Sequence, residues 1–410
     1  MNRNLLKVIQ KKINSFFKTK KIDHKLISDS ALNTLAVLKK NKYEAFIVGG
    51  AIRDILMGSR PKDFDIATNA TPEQVRSIFK KSRIIGRRFK LVHVIYGREI
   101  IEVSTFRAKP LQKIHMSNGV LKDNEYGSIE EDAERRDFTI NALYYNVEEK
   151  KLIDFYGGLK DIENQKLRLI GNPKLRYKED PIRLLRAIRF AAKLKIKIDG
   201  ETLSELKKST YLLESVPYSR LFDEIMKLFL TGHAEDSMVL FKKYKLSCTY
   251  FPTLENENKT FQDFLSQALI NTDLRIKNDQ SVNPGFFLAV FLWHDVQKLS
   301  KKYSKNFPHP SLALNKAIDD VLYKQAKIFP IQKRFSITMS EIWRLQPRFK
   351  GTSTKKIYRL LSHPRFRASY DFMLLRCQVS EISKSEGVWW TSFIESNKQD
   401  QDLLINKKKH

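Results

Sequence analysis

The chain has 410 residues, 42% of them hydrophobic, so it can fill the cores of two or three globular domains and is not a disordered polymer. Its 75 lysines and arginines against 46 aspartates and glutamates leave a formal charge of +29, which repels itself unless a polyanion such as nucleic acid neutralises it. Two cysteines, Cys248 and Cys377, exclude a disulfide framework and a four-ligand zinc site and fit a reducing cytoplasm, while the longest apolar run, Phe286 to Trp293, is under half the roughly 20 residues of a membrane helix.

Residues 1–26 read as a basic N-terminal arm. Up to residue 22 they carry seven basic side chains and no acid, which suits an RNA-contacting or peripheral segment, a surface-bound amphipathic helix or a transit peptide. Ala31, Leu32, Leu35 and Leu38 recur at helical spacing and predict a helix over 27–39, followed by a strand at 45–48. In Phe46-Ile47-Val48-Gly49-Gly50-Ala51-Ile52-Arg53-Asp54 that strand runs through a glycine turn into a helix start. Bare amides at Gly49 and Gly50 could approach a triphosphate there, with Arg53 as a bidentate phosphate clamp; a plain tight turn is the bland alternative.

Further strands are predicted at 63–68, 91–96 and 99–106, with a helical stretch after Thr71, so 27–157 should be a small mixed α/β domain. Within Lys62-Asp63-Phe64-Asp65-Ile66 the strand period of two puts Asp63 and Asp65 on one face and Phe64 and Ile66 on the other, toward the core. Two adjacent like charges cost free energy unless a cation relieves them, and Mg²⁺, or Mn²⁺, prefers carboxylate oxygens and shares them with substrate phosphates. A two-ion site needs a third acid. Glu102, mid-strand in Ile100-Ile101-Glu102-Val103-Ser104, and Asp137, in Glu134-Arg135-Arg136-Asp137-Phe138-Thr139, are the two candidates, and each could instead belong to a structural ion pair. Ser128 and Glu131 upstream form a capping-box signature.

Beyond about Gly158 helical patterns take over, at 181–194, 221–230 and 284–293 among others, giving a helical neck at 158–232, a helical body at 233–395 and a basic disordered tail at 396–410. In Glu179-Asp180-Pro181-Ile182-Arg183-Leu184-Leu185-Arg186, Asp180 can cap a helix that Pro181 begins, and Arg183 and Arg186 share a face. An aspartate accepting from an adenine amino group beside a donating arginine could read a base edge; a surface ion pair is the ordinary alternative. His294-Asp295 reads as a helix-end pair rather than a metal site, and Trp389 and Trp390 as packing rather than base-stacking residues.

Together these motifs resemble the class II nucleotidyltransferases, the bacterial poly(A) polymerases and tRNA CCA-adding enzymes, which carry the glycine turn with a downstream Arg-Asp, the Asp-x-Asp pair, the Arg-Arg-Asp-Phe-Thr segment and the Glu-Asp-x-x-Arg helix in this order. Gly86 to Val94, Gly127 to Ala133, Asn271 to Ile276 and His363 to Asp371 are most similar to the poly(A) polymerase branch, over roughly residues 28–395. Two departures stand out: a short loop at 109–118 and a C-terminal extension reduced to a few lysines. The resemblance implies an α+β protein, a polymerase-beta-like α/β head followed by all-α neck and body, that adds AMP from ATP to RNA 3′ ends without a template. It further implies metal binding and catalysis by Asp63 and Asp65, nucleotide binding by Gly50 and Arg53, ribose-region contacts by Arg136 and Asp137, and base and phosphate contacts by Asp180, Arg183 and Arg186. On the residues' own reading Gly49 joins the nucleotide turn, and the third acid is either Glu102 as a metal ligand or Asp137 as a catalytic group. A cytoplasmic monomer linked to the RNA-decay machinery is the corresponding setting. CCA addition to tRNA and a catalytically silent RNA-binding protein are the competing expectations.

Overall fold

Why the sheet forms is plainest at its centre. Ala45–Val48 (β2) is a continuous apolar run buried at all four positions, as a strand covered on both faces must be. The computed structural model describes residues 17–18, 22–86, 90–108, 116–117, 120–121 and 126–409. Most of the basic arm, the Arg87-Arg88-Phe89 part of one family-like motif, most of the 109–118 loop and His410 lie outside the described residues.

Phe17–Lys18 is β1, and after β2 come Asp65–Thr68 (β3), Ser82–Ile85 (β4), Leu91–Tyr96 (β5), Glu99–Thr105 (β6), Met116–Ser117 and Val120–Leu121 (β7 and β8), Leu143–Asn146 (β9) and Lys151–Asp154 (β10). Eight of them form one sheet in the order β1-β10-β9-β2-β3-β6-β5-β4, and β7 and β8 pair separately. Only β3 and β6 run parallel in that sheet, with Asp65 opposite Glu102; β2 and β3 are antiparallel, with Val48 opposite Asp65. Helix Asp29–Lys40 is capped by the Ser28 side chain and buries Ala31, Thr34, Leu35 and Leu38.

The chain divides into two compact units, residues 1–183 with 196–209, and residues 184–195 with 210–410. The division falls inside the helix Ile182–Leu194.

The second unit is helical. Phe229 meets Phe241, Phe287 and Phe291 at 5.3–5.4 Å between ring centroids, much of it edge to face. His294 and Asp295 lie inside the helix Pro284–Tyr303, not at its end, and Val296 directly after them is still buried. His294 packs on Phe261 and Asp295 accepts from Thr253, so the pair is structural. Trp390 is fully buried and Trp389 stacks on Phe393.

The C-terminal residues correct the expectation of a disordered tail: Lys398–Lys409 is a helix. Ile405 is buried, the Trp389 indole donates to the Leu404 carbonyl, and Lys408 reaches Glu386 while lying 4.0 Å from the Trp389 ring. Its polar composition hid one anchoring apolar residue and a cation–π contact. Both cysteines are free, and among the described residues no helix is long and apolar enough to cross a membrane.

Candidate active site

Gly49 sits between β2 and the helix Gly50–Leu56 at φ 76°, ψ −129°, a backbone conformation that side chains other than hydrogen rarely permit. A Cβ there would stand 3.8 Å from Asp65 Oδ2 and 3.4 Å from Arg136 Nη1. The glycine turn therefore lies directly against the second carboxylate of the Asp-Phe-Asp segment.

Phe64 and Ile66 are buried while Asp63 is exposed and Asp65 half-buried, so the two acids share the accessible side. Asp63 stands just outside β3, whereas a strand from residue 63 was expected. The partner strand β2 ends at Val48, opposite Asp65, and turns away at Gly49, leaving Asp63 and Phe64 without a ladder partner.

The parallel pairing of β3 with β6 sets Glu102 beside Asp65, and Glu102 lies 3.4 Å from His93 Nε2 on β5. Asp65, Glu102, Ser104, Leu91, Arg107, Arg135 and Arg136 line a cleft of about 260 Å³. Burial pushes the Asp65 carboxyl up to about 6, with Glu102 and Asp63 adding repulsion and Arg136 opposing it. Asp137 is placed differently. Its Oδ1 accepts from the Phe138 amide and from Asn141, so it caps the next turn rather than lining the cleft.

Arg136 is held by a network that single-residue reasoning did not find. It donates to Asp132 and to the Tyr144 hydroxyl, which itself donates to Asp132; Arg135 also donates to Asp132, whose carboxylate is 1% exposed. The acid–base spacing of Asp132 and Arg136 on one helical turn was the available sequence signal. Arg53 is buried, and its guanidinium engages Asp54 and Asn141, which holds the loop after Asp137 against the glycine turn.

Asp180 accepts from the Ile182 amide at the start of its helix. Arg183 is buried and donates to Glu179 and to the Arg176 carbonyl, while Arg176 donates to the Arg135 and Arg136 carbonyls. That tie through Arg176 was not anticipated. Arg186 belongs to the second unit, 5.5 Å from the Phe190 ring.

Among the described residues no three His, Cys, Asp or Glu side chains form a closed metal cage. The donor set nevertheless fits a hard divalent cation: oxygen-only carboxylates repel one another at Asp65, and such an ion removes that repulsion. Since ligation needs the carboxylate, apparent Mg²⁺ affinity at subsaturating metal should fall about tenfold per pH unit below pH 6 and level off near neutrality. Metal-concentration dependence of turnover, measured across pH, checks this.

A mixed sheet with a glycine turn set against paired carboxylates is the arrangement that the resemblance to nucleotidyltransferases implies. The head segment 45–168 matches the family described as "Poly A polymerase head domain", residues 195–257 match "Probable RNA and SrmB- binding site of polymerase A", and residues 306–410 match "Polymerase A arginine-rich C-terminus". Poly(A) polymerase I of Escherichia coli O6:H1 is 42% identical over 404 residues, 94% of this chain and 86% of that protein. The CCA-adding enzyme of Streptococcus agalactiae serotype V is 31% identical over 316 residues, 77% of this chain and 74% of that protein. Among solved structures, a CCA-adding enzyme in complex with ATP superposes with a TM-score of 0.63 at 19% identity, covering 95% of this chain and 93% of that one. The chain belongs to the family of bacterial poly(A) polymerases and CCA-adding enzymes, and its likeness to the Escherichia coli poly(A) polymerase I runs further along the chain than its likeness to the Streptococcus agalactiae CCA-adding enzyme.

Proposed function

We propose that this protein is a template-independent poly(A) polymerase that transfers AMP from ATP to the 3′-hydroxyl of RNA and releases pyrophosphate, working in the cytoplasm on RNA destined for decay. The observation that carries this reading is Asp65, flanked by Asp63 and Glu102 and set against Gly49. The 42% identity to poly(A) polymerase I over 94% of the chain supports adenylation over CCA addition. Related CCA-adding enzyme structures in complex with ATP and with CTP support a nucleoside triphosphate as the substrate class, and the choice of ATP rests on the likeness to poly(A) polymerase I.

Asp63, Asp65 and Glu102 would hold Mg²⁺ or Mn²⁺, which supplies charge neutralisation for the attacking hydroxyl and the leaving pyrophosphate. The chain's own groups do the rest. Gly49 and Gly50 bring bare backbone to the phosphates, Arg136 adds positive charge at the rim, and Arg53 positions the turn through Asn141. Asp137 orders the segment that follows Arg136. Asp180 and Arg183 are the proposed base readers, and Arg186 is assigned by resemblance alone.

Purified protein given ATP and a generic RNA should extend it by many residues, whereas CTP alone should not be used. Incorporation of CTP into a tRNA lacking its CCA end, with synthesis stopping after the terminal adenylate, would favour the CCA-adding activity instead. RNA affinity should fall steeply with salt, because the excess of lysine and arginine, +29 in formal charge, acts by releasing counterions from phosphate. A binding isotherm series at rising salt checks this, and a flat response would contradict it.

A further inference from the structure

The second unit contains a cavity that none of the catalytic groups touches. It measures about 580 Å³ and lies between the C-terminal half of the helix Lys259–Lys277, the following loop to Asn283, and the helix Phe366–Gln378 with its preceding Pro364 and Arg365. Its volume falls within the range of small-molecule sites.

Its walls combine three kinds of group. Phe286, Leu374 and Ala368 give apolar surface on which a flat ring can lie. Asn271, Gln280 and Gln378 supply neutral amides, which both donate and accept. At the rim, Arg367 and Arg365 have side chains 75% and 41% exposed, and the Arg275 guanidinium braces the loop by donating to the Ser281 carbonyl.

One acid interrupts this basic lining. Asp371 is paired with Arg367 at 3.1 Å, and burial lifts its carboxyl above the usual range against the pull of Arg367 and Arg275. An amide-lined apolar slot with one acceptor inside and arginines outside matches a base inserted edge first with its phosphate at the mouth. A lipid tail would leave the amides of Asn271, Gln280 and Gln378 unmatched, and a simple anion would leave the apolar wall unused and face Asp371.

We propose that the cavity bounded by Phe286, Ala368, Leu374 and Asp371, with Arg275 and Arg367 at its mouth, is a nucleotide-binding site that holds one unstacked base of the RNA strand upstream of the end being extended. This rests on the reading of the protein as an RNA polymerase. A free mononucleotide presents the same chemistry, and the experiment separates the two sources.

The full-length protein is titrated with a fluorescent oligoadenylate of roughly 15 nucleotides, alone and in competition with AMP, for wild type, Ala368→Trp and Arg367→Gln. Ala368→Trp fills the slot and should weaken RNA binding about tenfold, the loss of one stacked base. Arg367→Gln gives up only an exposed ion pair, so it should fold normally while weakening binding severalfold and lowering the salt slope by about one phosphate. Both should leave the KM for ATP and extension of a very short saturating primer unchanged, since the head unit is untouched. RNA affinity that falls in both variants without AMP competition supports the strand as source; the same fall with AMP competing supports a mononucleotide site and overturns the strand assignment. Unchanged RNA affinity in a folded Ala368→Trp and in Arg367→Gln overturns the proposal. If the wild type extends no RNA, the polymerase reading fails, and that result comes from a different readout than the variants' affinity.

Discussion

Asp65→Asn is expected to abolish nucleotidyl transfer and, in the absence of metal, to make the protein more stable. The substitution keeps the shape but removes the charge that a divalent ion would bind, so turnover should fall by at least about a thousandfold. Its effect on stability follows from the raised carboxyl, which titrates near 6 in the fold against an ordinary 3.8. Ionised Asp65 opposes folding above about pH 6, and that opposition fades as pH falls through 6 toward 3.8, where both states are protonated. The neutral amide should therefore gain on the order of 1–3 kcal/mol at pH 7 without metal. The gain should vanish near pH 4, and saturating Mg²⁺ should raise the melting temperature of wild type more than that of the variant. Thermal melts across pH, with and without metal, read all three effects.

Asp132→Ala should do the opposite: lose stability first and activity with it. Asp132 is almost wholly buried and accepts from Arg135, Arg136 and Tyr144, so its removal takes the balancing acid from two guanidinium groups and the acceptor from the Tyr144 hydroxyl. Breaking such a buried network costs about 3 kcal/mol, with some discount for the partly exposed arginines. The transition of the sheet-bearing unit should drop by roughly 6–12 °C. Burial alone would lift the Asp132 carboxyl, yet Arg136 and Arg135 outweigh it and hold it below its ordinary value. Its contribution is thus present above about pH 4 and lost as pH falls through the depressed value. Turnover should fall as well, because Arg136 loses the acid that holds it beside Gly49 and Asp65. Asp132→Asn, which keeps one acceptor, should recover part of the stability. Differential scanning calorimetry with a parallel turnover assay distinguishes these outcomes.

The placement of the carboxylate ridge was legible in the sequence because it depends on local periods. Alternation across Asp63 to Ile66 sorts carboxylates from core residues, and Gly49 marks a turn that only glycine tolerates. Features decided by distant residues were not legible. The departure of Asp63 from its strand depends on where β2 ends, and the burial of Arg53 depends on Asn141, 88 positions away. Local sequence left Glu102 and Asp137 equivalent, whereas the pairing of β3 with β6 sets one beside Asp65 and leaves the other capping a turn. The final helix was not legible for a related reason: its single buried apolar residue, Ile405, belongs to the core cluster that also holds Phe349, Trp390 and Phe393 from earlier in the chain, which no hydrophobic periodicity within the segment could announce.

Mn²⁺ binding, followed by electron paramagnetic resonance in the presence of a non-hydrolysable ATP analogue, tests the role of the carboxylate ridge most directly. Wild-type protein should take up the ion together with the nucleotide, and folded Asp65→Asn should lose most of that uptake. Equal uptake by the two proteins would contradict the assignment of Asp65 as the group that joins metal to triphosphate.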